Sequence, residues 1–370
     1  WSDLFPGAAA PPPAPGEQAS LQQVVDELRL NQPELGQLLS LRSTNLKHLQ
    51  AQLQPKDTLV TYCFQGDDFY LLALRKEGGF YRKQRLTSAD FQGTTRRYLE
   101  SLRSDQTSDA ETSLFSMLLA PVLSEDPDQR LFLVPNGPIW QLPFGALRDA
   151  QGRALASRAQ VVLMGSADLL RLADGDWHPY KLTQSLAIGA PPAADLPGAY
   201  QELGEVARAL PGCQLRRGDQ ATLEALYQRD QHWGLLHFAS HAHYRPDRPT
   251  ESDIQLHDGQ LKLKQLSQLS LADHALVALS VCQGGASKGQ RLDEPVTLAT
   301  GFSAAGADTV IANLWPVDDE VARVFCQSFY GDLASGSSPC DSFRQAQQAC
   351  REKFPKPRDW GGFFLMGNPG

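Results

Sequence analysis

Several things are missing from this chain of 370 residues. No uninterrupted apolar stretch approaches the roughly 18 residues needed to cross a bilayer as a helix. No charged-then-apolar signal segment opens it. Its six cysteines (Cys63, Cys213, Cys282, Cys326, Cys340 and Cys350) are few and scattered, and none forms a CxxC pair. That excludes a disulfide framework, a zinc ribbon and a thioredoxin-type redox centre. Basic charge is also short: 34 Lys and Arg against 42 Asp and Glu leave a formal charge of −8. Phosphate backbones are bound by basic stripes, so nucleic acid is not expected as a partner. These absences together lead to an expectation of a cytoplasmic protein with reduced cysteines and no membrane partner.

What is present is enough apolar material, 42% of residues, for one large or two medium cores. Trp1 is not an initiator methionine, and Pro6–Gly16 (PGAAAPPPAPG) is a semi-rigid Pro/Ala linker without means of burying a core. An upstream region that has been removed is therefore expected. The sequence divides into a linker over 1–19, an N-terminal half over 20–173, a joint over 174–184 containing DGDWHPY, and a C-terminal half over 185–370.

The first half opens with helical spacing from Leu21 to about Gln54, interrupted by Pro33. Strand-like runs follow at Thr58–Phe64 and Phe69–Leu74, joined by the turn Gln65-Gly66-Asp67-Asp68. Helical stretches are predicted over Thr94–Leu102 and Glu111–Leu123, and a buried strand over Leu131–Val134.

The second half alternates more regularly. Strands are predicted at Ser185–Ala190, Cys213–Arg217, Gly234–Ser240, Ala275–Cys282, Asp308–Trp315 and Gly362–Met366. Helices are predicted at Gly198–Leu210, Ala221–Arg229, Val296–Ala305, Asp319–Leu333 and Asp341–Phe354. A small hairpin over Ile254–Leu263 turns at His257-Asp258-Gly259. Nearly all-apolar strands alternating with helices indicate an α/β fold, a mostly parallel sheet covered on both faces.

In open α/β sheets the site lies outside the carboxyl ends of the strands. His241 directly follows one predicted strand and Cys282 ends the next major one. Consecutive strands are usually neighbours, so a thiol and an imidazole converge on one rim. Cysteine catalysis needs that pair: the thiolate is the nucleophile, and histidine stabilises it and delivers a proton to the leaving amine. Each residue alone reads as structural; the stretch Cys282-Gln283-Gly284-Gly285 is the stronger signal. It fits the caspase pattern of Cys, then Arg, Gln or Gly, then Gly, with a histidine roughly 50 residues upstream. Here the separation is 282 − 241 = 41 residues. A flexible turn there brings backbone N–H groups close to a developing oxyanion.

A longer ordered set of motifs resembles the CHAT domain, a caspase-like module often found beside TPR repeats. The matching segments are Asp195-Leu196-Pro197-Gly198 with Glu205, Leu235-Leu236-His237-Phe238-Ala239-Ser240-His241, and Leu279-Ser280-Val281-Cys282-Gln283-Gly284. They continue with Leu314-Trp315-Pro316-Val317-Asp318-Asp319-Glu320 and with Trp360, Phe364 and Gly367. In the first half Val134-Pro135-Asn136-Gly137 and Leu142-Pro143-Phe144 match as well, so the resemblance runs over about residues 20 to 370.

The resemblance implies a caspase-like fold with a catalytically silent N-terminal half and an active C-terminal half. His241 and Cys282 fall on the family's dyad positions. The implied activity is that of a cysteine endopeptidase working through a thioester acyl-enzyme, with a regulatory partner or an upstream domain such as TPR repeats. The alternative is a weak pseudoprotease serving as an interaction scaffold. The family usually carries Gly after the histidine, and its backbone N–H lines the oxyanion hole together with that of the cysteine; here Ala242 supplies it, provided its φ is negative. Relatives that cut after Arg or Lys place an acid in the pocket, some of them two positions before the cysteine, where Ser280 stands. Asp318 and Asp319 are the other pocket candidates, although Asp318 also reads as a helix N-cap.

No cofactor is implied, and no metal is expected. His237, His241 and His243 resemble a ligand cluster, but the HxxxH spacing binds zinc on a helix. On a strand, with no carboxylate or thiolate supplied locally, His237 is expected to be a buried histidine bonded to the backbone.

Overall fold

The structure, a computed structural model, describes residues 46–126, 128–165, 182–189, 197–228, 231–245, 248–282 and 294–368. The segments 20–45 and 174–181 lie outside them. The chain forms two compact units, dividing between Asp174 and Gly175.

In the first unit, α1 (Leu46–Gln52) precedes a meander of β1 (Asp57–Gln65), β2 (Asp68–Arg75) and β3 (Gly79–Arg85). The β1–β2 connection is the two-residue turn Gly66-Asp67, where Gly66 takes φ of 58°. Then come α2 (Ser88–Ser104), α3 (Asp109–Leu118), β4 (Arg130–Val134) and β5 (Gln160–Leu163). The sheet order is β5-β4-β1-β2-β3, with β4 parallel to β1 and to β5, and β2 antiparallel to β1 and to β3. Strands β3 and β5 were not legible in the sequence. In β3 the run Arg82-Lys83-Gln84-Arg85 hides the alternation, because these side chains lie half-exposed or exposed; Lys83 pairs with Asp68 at 2.9 Å. Helix α2 begins with a Thr87 cap and buries Phe91, Thr95, Tyr98, Leu99 and Leu102, a stripe at helical spacing. Asp57, buried at the start of β1, holds Arg130 of the neighbouring strand with two bonds of 2.7 and 3.0 Å.

The second unit carries β6 (Ser185–Gly189), α4 (Pro197–Ala209), β7 (Gln214–Arg217), α5 (Leu223–Leu226), β8 (Trp233–His243), β9 (Asp253–Gln255) and β10 (Gln260–Lys262). They are followed by β11 (Leu271–Cys282), α6 (Glu294–Ala304), β12 (Ala307–Asn313), α7 (Asp319–Ala334), α8 (Pro339–Lys353), α9 (Pro357–Trp360) and β13 (Phe363–Gly367). The ladder β7-β6-β8-β11-β12 is parallel throughout, and β13 joins β12 antiparallel. Both faces are covered. Phe238 meets Phe302 of α6 on one side, and His237 meets Tyr330 of α7 on the other. Eight consecutive buried residues open β8, as double-sided burial requires. The helix expected over Ala221–Arg229 shrinks to the single turn α5, since Thr222 caps it and Tyr227 already leaves helical geometry.

Strand β11 is longer than expected and enters the ladder irregularly. Leu271 pairs with Trp233, and Leu276 next with Leu235. Five residues of β11 therefore advance against two of β8. Within that excess His274 adopts φ of 61°, a left-handed conformation that histidine tolerates better than most side chains. From Leu276 onward the register is unbroken to the end of the strand.

Candidate active site

That register decides which residues meet. Ala278 pairs with His237, Ser280 with Ala239, and Cys282 with His241, the last pair of the β8–β11 ladder. Side chains alternate between faces along a strand, so His237, Ala239 and His241 belong to one face, together with Ala278 and Ser280. Position 282 is the next in that series. His241 therefore lies inside β8, two residues short of its end, and not after the strand as expected. The side chain of Cys282 and the turn Gln283-Gly284-Gly285 lie outside the described residues.

His241 is half-buried; its Nδ1 is shielded from solvent and has no hydrogen-bond partner among the described residues. Ala242 is buried and pairs with Ile254 of β9. Positive φ outside glycine occurs, among the described residues, only at Asp105 and His274. Ala242 thus keeps ordinary extended backbone. On the opposite face Ser240 donates to the carbonyl of Gln255 at 2.6 Å and pins the end of β8 to the β9–β10 hairpin. His243 is engaged elsewhere: its Nδ1 lies 3.0 Å from the buried carboxylate of Asp253, which Arg245 also approaches at 3.7 Å.

The pocket candidates separate. Asp318 caps α7, accepting from the Glu320 N–H at 2.9 Å. The carboxylate of Asp319 is pressed against Gly198 in the first turn of α4, so closely that a β-carbon at 198 would collide with it. A negative group there complements the positive end of that helix. Ser280 is half-buried on the face that carries His241, and its hydroxyl donates to Glu202 Oε2 of α4 at 2.8 Å.

Glu202 is the centre of a buried group that the sequence did not reveal. Its Oε1 accepts from the Cys326 thiol at 3.2 Å and lies 3.2 Å from His237 Nε2. His237 Nδ1 in turn lies 2.7 Å from the Tyr330 hydroxyl. His237 is buried, as expected, but its partners are side chains of α4 and α7 and not the backbone. Burial together with the adjacent Glu202 carboxylate holds the Cys326 thiol well above its ordinary range, and burial does the same for the Tyr330 phenol. One signal was available in the sequence: Ala199, Leu203 and Val206 form the inward stripe of α4, and Glu202 falls within it.

Three of the other cysteines have raised thiol pKa values through burial, Cys213 to about 11, Cys350 to about 12 and Cys63 upward. A thiol kept protonated is a poor nucleophile. Among the described residues, no helix is long and apolar enough to cross a membrane.

A parallel sheet covered on both faces, with a cysteine and a histidine in register at its carboxyl edge, defines a caspase-like α/β domain. The CHAT domain model matches residues 109–368, and the chain belongs to that family. Among curated proteins it is similar to tetratricopeptide repeat protein 28 of Mus musculus and of Homo sapiens. Each is 25% identical over 321 residues, covering 69% of this chain. The chain spans only 13% of the length of these relatives. Among solved structures it resembles the separase–securin complex of Saccharomyces cerevisiae, with a TM-score of 0.57 and 11% identity over 88% of this chain and 31% of that one. A second structure of the same complex gives a TM-score of 0.56 and 12% identity over 87% and 30%. At such identity the likeness is one of fold.

Proposed function

We propose that this chain is a cysteine endopeptidase whose nucleophile is Cys282 and whose acid and base is His241. The observation that carries the reading is their direct register pairing at the carboxyl ends of two adjacent parallel strands. In the proposed reaction the Cys282 thiolate adds to the scissile carbonyl carbon, and backbone N–H groups at 242 and 282 stabilise the oxyanion. The C–N bond then breaks as His241 gives its proton to the departing amine, leaving a thioester. Water, deprotonated by His241, hydrolyses the thioester and restores the thiol. Both reacting residues lie in the second unit, which supports the division into a silent N-terminal half and a catalytic C-terminal half. Both curated relatives are named as tetratricopeptide repeat proteins. That supports control of this domain by helical repeats, either upstream or in a partner.

The deciding experiment is covalent labelling by a thiol-directed peptide electrophile. Stoichiometric modification of the wild type, lost in Cys282→Ala, is expected. Equal labelling of both proteins would remove the reading.

A further inference from the structure

The group around Glu202 has a composition that hydrogen bonding alone leaves incomplete. Three donors from three elements, Glu202 of α4, His237 of β8 and Cys326 of α7, place one ligand atom each within 4.8 Å of one another. Their exposures are 5%, 1% and 4%. Among the described residues no other such triple occurs. His237 Nε2 stands 3.2 Å from Glu202 Oε1, yet this buried nitrogen makes no hydrogen bond among the described residues. A buried ring nitrogen is costly to leave unpaired unless a donor or a metal takes its lone pair, or an acceptor takes its proton.

We propose that Glu202, His237 and Cys326 form a binding site for one zinc(II) ion in the floor beneath the His241–Cys282 pair. Thiolate, imidazole and carboxylate are the zinc donor set, with bonds of about 2.0 to 2.3 Å and tetrahedral geometry. Two such ligands around one ion stand about 3.5 Å apart. The 3.2 Å from Glu202 Oε1 to both Cys326 Sγ and His237 Nε2 needs only small adjustment to reach that. The outer contacts are also in place. Tyr330 holds His237 Nδ1 at 2.7 Å, turning Nε2 toward the centre, and Ser280 holds Glu202 Oε2 at 2.8 Å, leaving Oε1 free to ligate. Metal-binding histidines and carboxylates are oriented in this way by groups on their far atoms. The fourth position is left to water. Binding replaces the Cys326 proton, which leaves to solvent, with a sulfur–zinc bond, and no electrons are exchanged.

This site does not depend on the protease reading, and its test keeps the two apart. The whole chain is stripped with a chelator, dialysed, and titrated with cobalt(II) and then with zinc. Wild type and Cys282→Ala are both expected to bind one equivalent. Both should show the thiolate-to-cobalt charge-transfer band of a tetrahedral site, with zinc displacing the cobalt and raising the unfolding temperature. Cys326→Ala and His237→Ala should lose the band. Binding below about a tenth of an equivalent in the wild type, or a spectrum without the thiolate band, overturns the proposal; the cluster is then a metal-free hydrogen-bonded core. A band that survives in Cys326→Ala but disappears in Cys282→Ala also overturns it, because the ion then sits on the rim. Should Cys326→Ala or His237→Ala fail to fold, the spectra of the wild type and of Cys282→Ala still decide.

Discussion

The hydroxyl of Ser280 donates to Glu202 at 2.8 Å, tying the strand that ends in Cys282 to helix α4 two residues before that cysteine. Ser280→Ala removes this donor and leaves Glu202 Oε2 buried without it. A loss of about 1–3 kcal/mol is expected, the usual cost of orphaning a buried acceptor. Urea unfolding measures it, and an unchanged midpoint would show that water reaches the carboxylate.

Cys282 is expected to be the one cysteine that proteolysis requires. Cys282→Ala should abolish cleavage and leave thermal unfolding nearly unchanged. Cys213→Ala should keep activity, because its thiol is held up to about 11 by burial and carries almost no thiolate near neutrality. Proteolysis persisting in Cys282→Ala, or lost in a folded Cys213→Ala, would contradict the assignment.

Exchange of the two histidines on the shared face should separate chemistry from stability. His241→Ala is expected to lower the rate by about 10²–10⁴, the usual contribution of a positioned proton-transfer group. His237→Ala should instead lower the unfolding temperature, since it takes from the buried Tyr330 hydroxyl its 2.7 Å partner. A stable His237→Ala with an equally deep loss of turnover would reverse these roles.

An alkaline limb of stability is expected. In the folded chain the Cys350 thiol is raised from 9.0 to about 12 and Cys213 to about 11. Above about pH 9 the unfolded chain gives up these protons while the native chain keeps them, so native protein binds more protons and stability falls as pH rises. Each such thiol contributes a slope of about 1.4 kcal/mol per pH unit between its unfolded and folded values. Denaturant unfolding from pH 8 to 11 should show a shallower decline in Cys350→Ala than in wild type. Parallel curves would mean that Cys350 is solvated.

Specificity offers a test of the acids beside α7. Asp318 is occupied as a cap, and Asp318→Ala should cost about 1 kcal/mol of stability without altering the preferred peptide. Peptide-library profiling of wild type and Asp319→Asn checks the other candidate. A basic preference unchanged in the mutant clears Asp319, and a strict preference for aspartate refutes a role for acids in this pocket.

The fold was legible where burial leaves a one-dimensional trace. Apolar runs such as Leu276–Leu279 mark strands covered on both faces, and Asp318 announces its helix. Strand β3 was not legible, because its surface-facing Arg and Lys side chains carry no apolar alternation. The short helix α5 was overestimated, because Tyr227 already leaves helical geometry after a single turn.

His241 and Cys282 as candidates follow from the sequence alone, since each closes an apolar run and Gln283-Gly284-Gly285 follows the cysteine. Their register does not. It rests on the irregular entry of β11 at His274, and a slip of one residue there would send position 282 to the other face. Nor does any local pattern join Glu202, His237, Ser280, Cys326 and Tyr330, which are spread over 129 residues, from 202 to 330. Only the packing of α4 and α7 against the β8–β11 face makes them neighbours, because a buried polar side chain must find its partners in space and not along the chain.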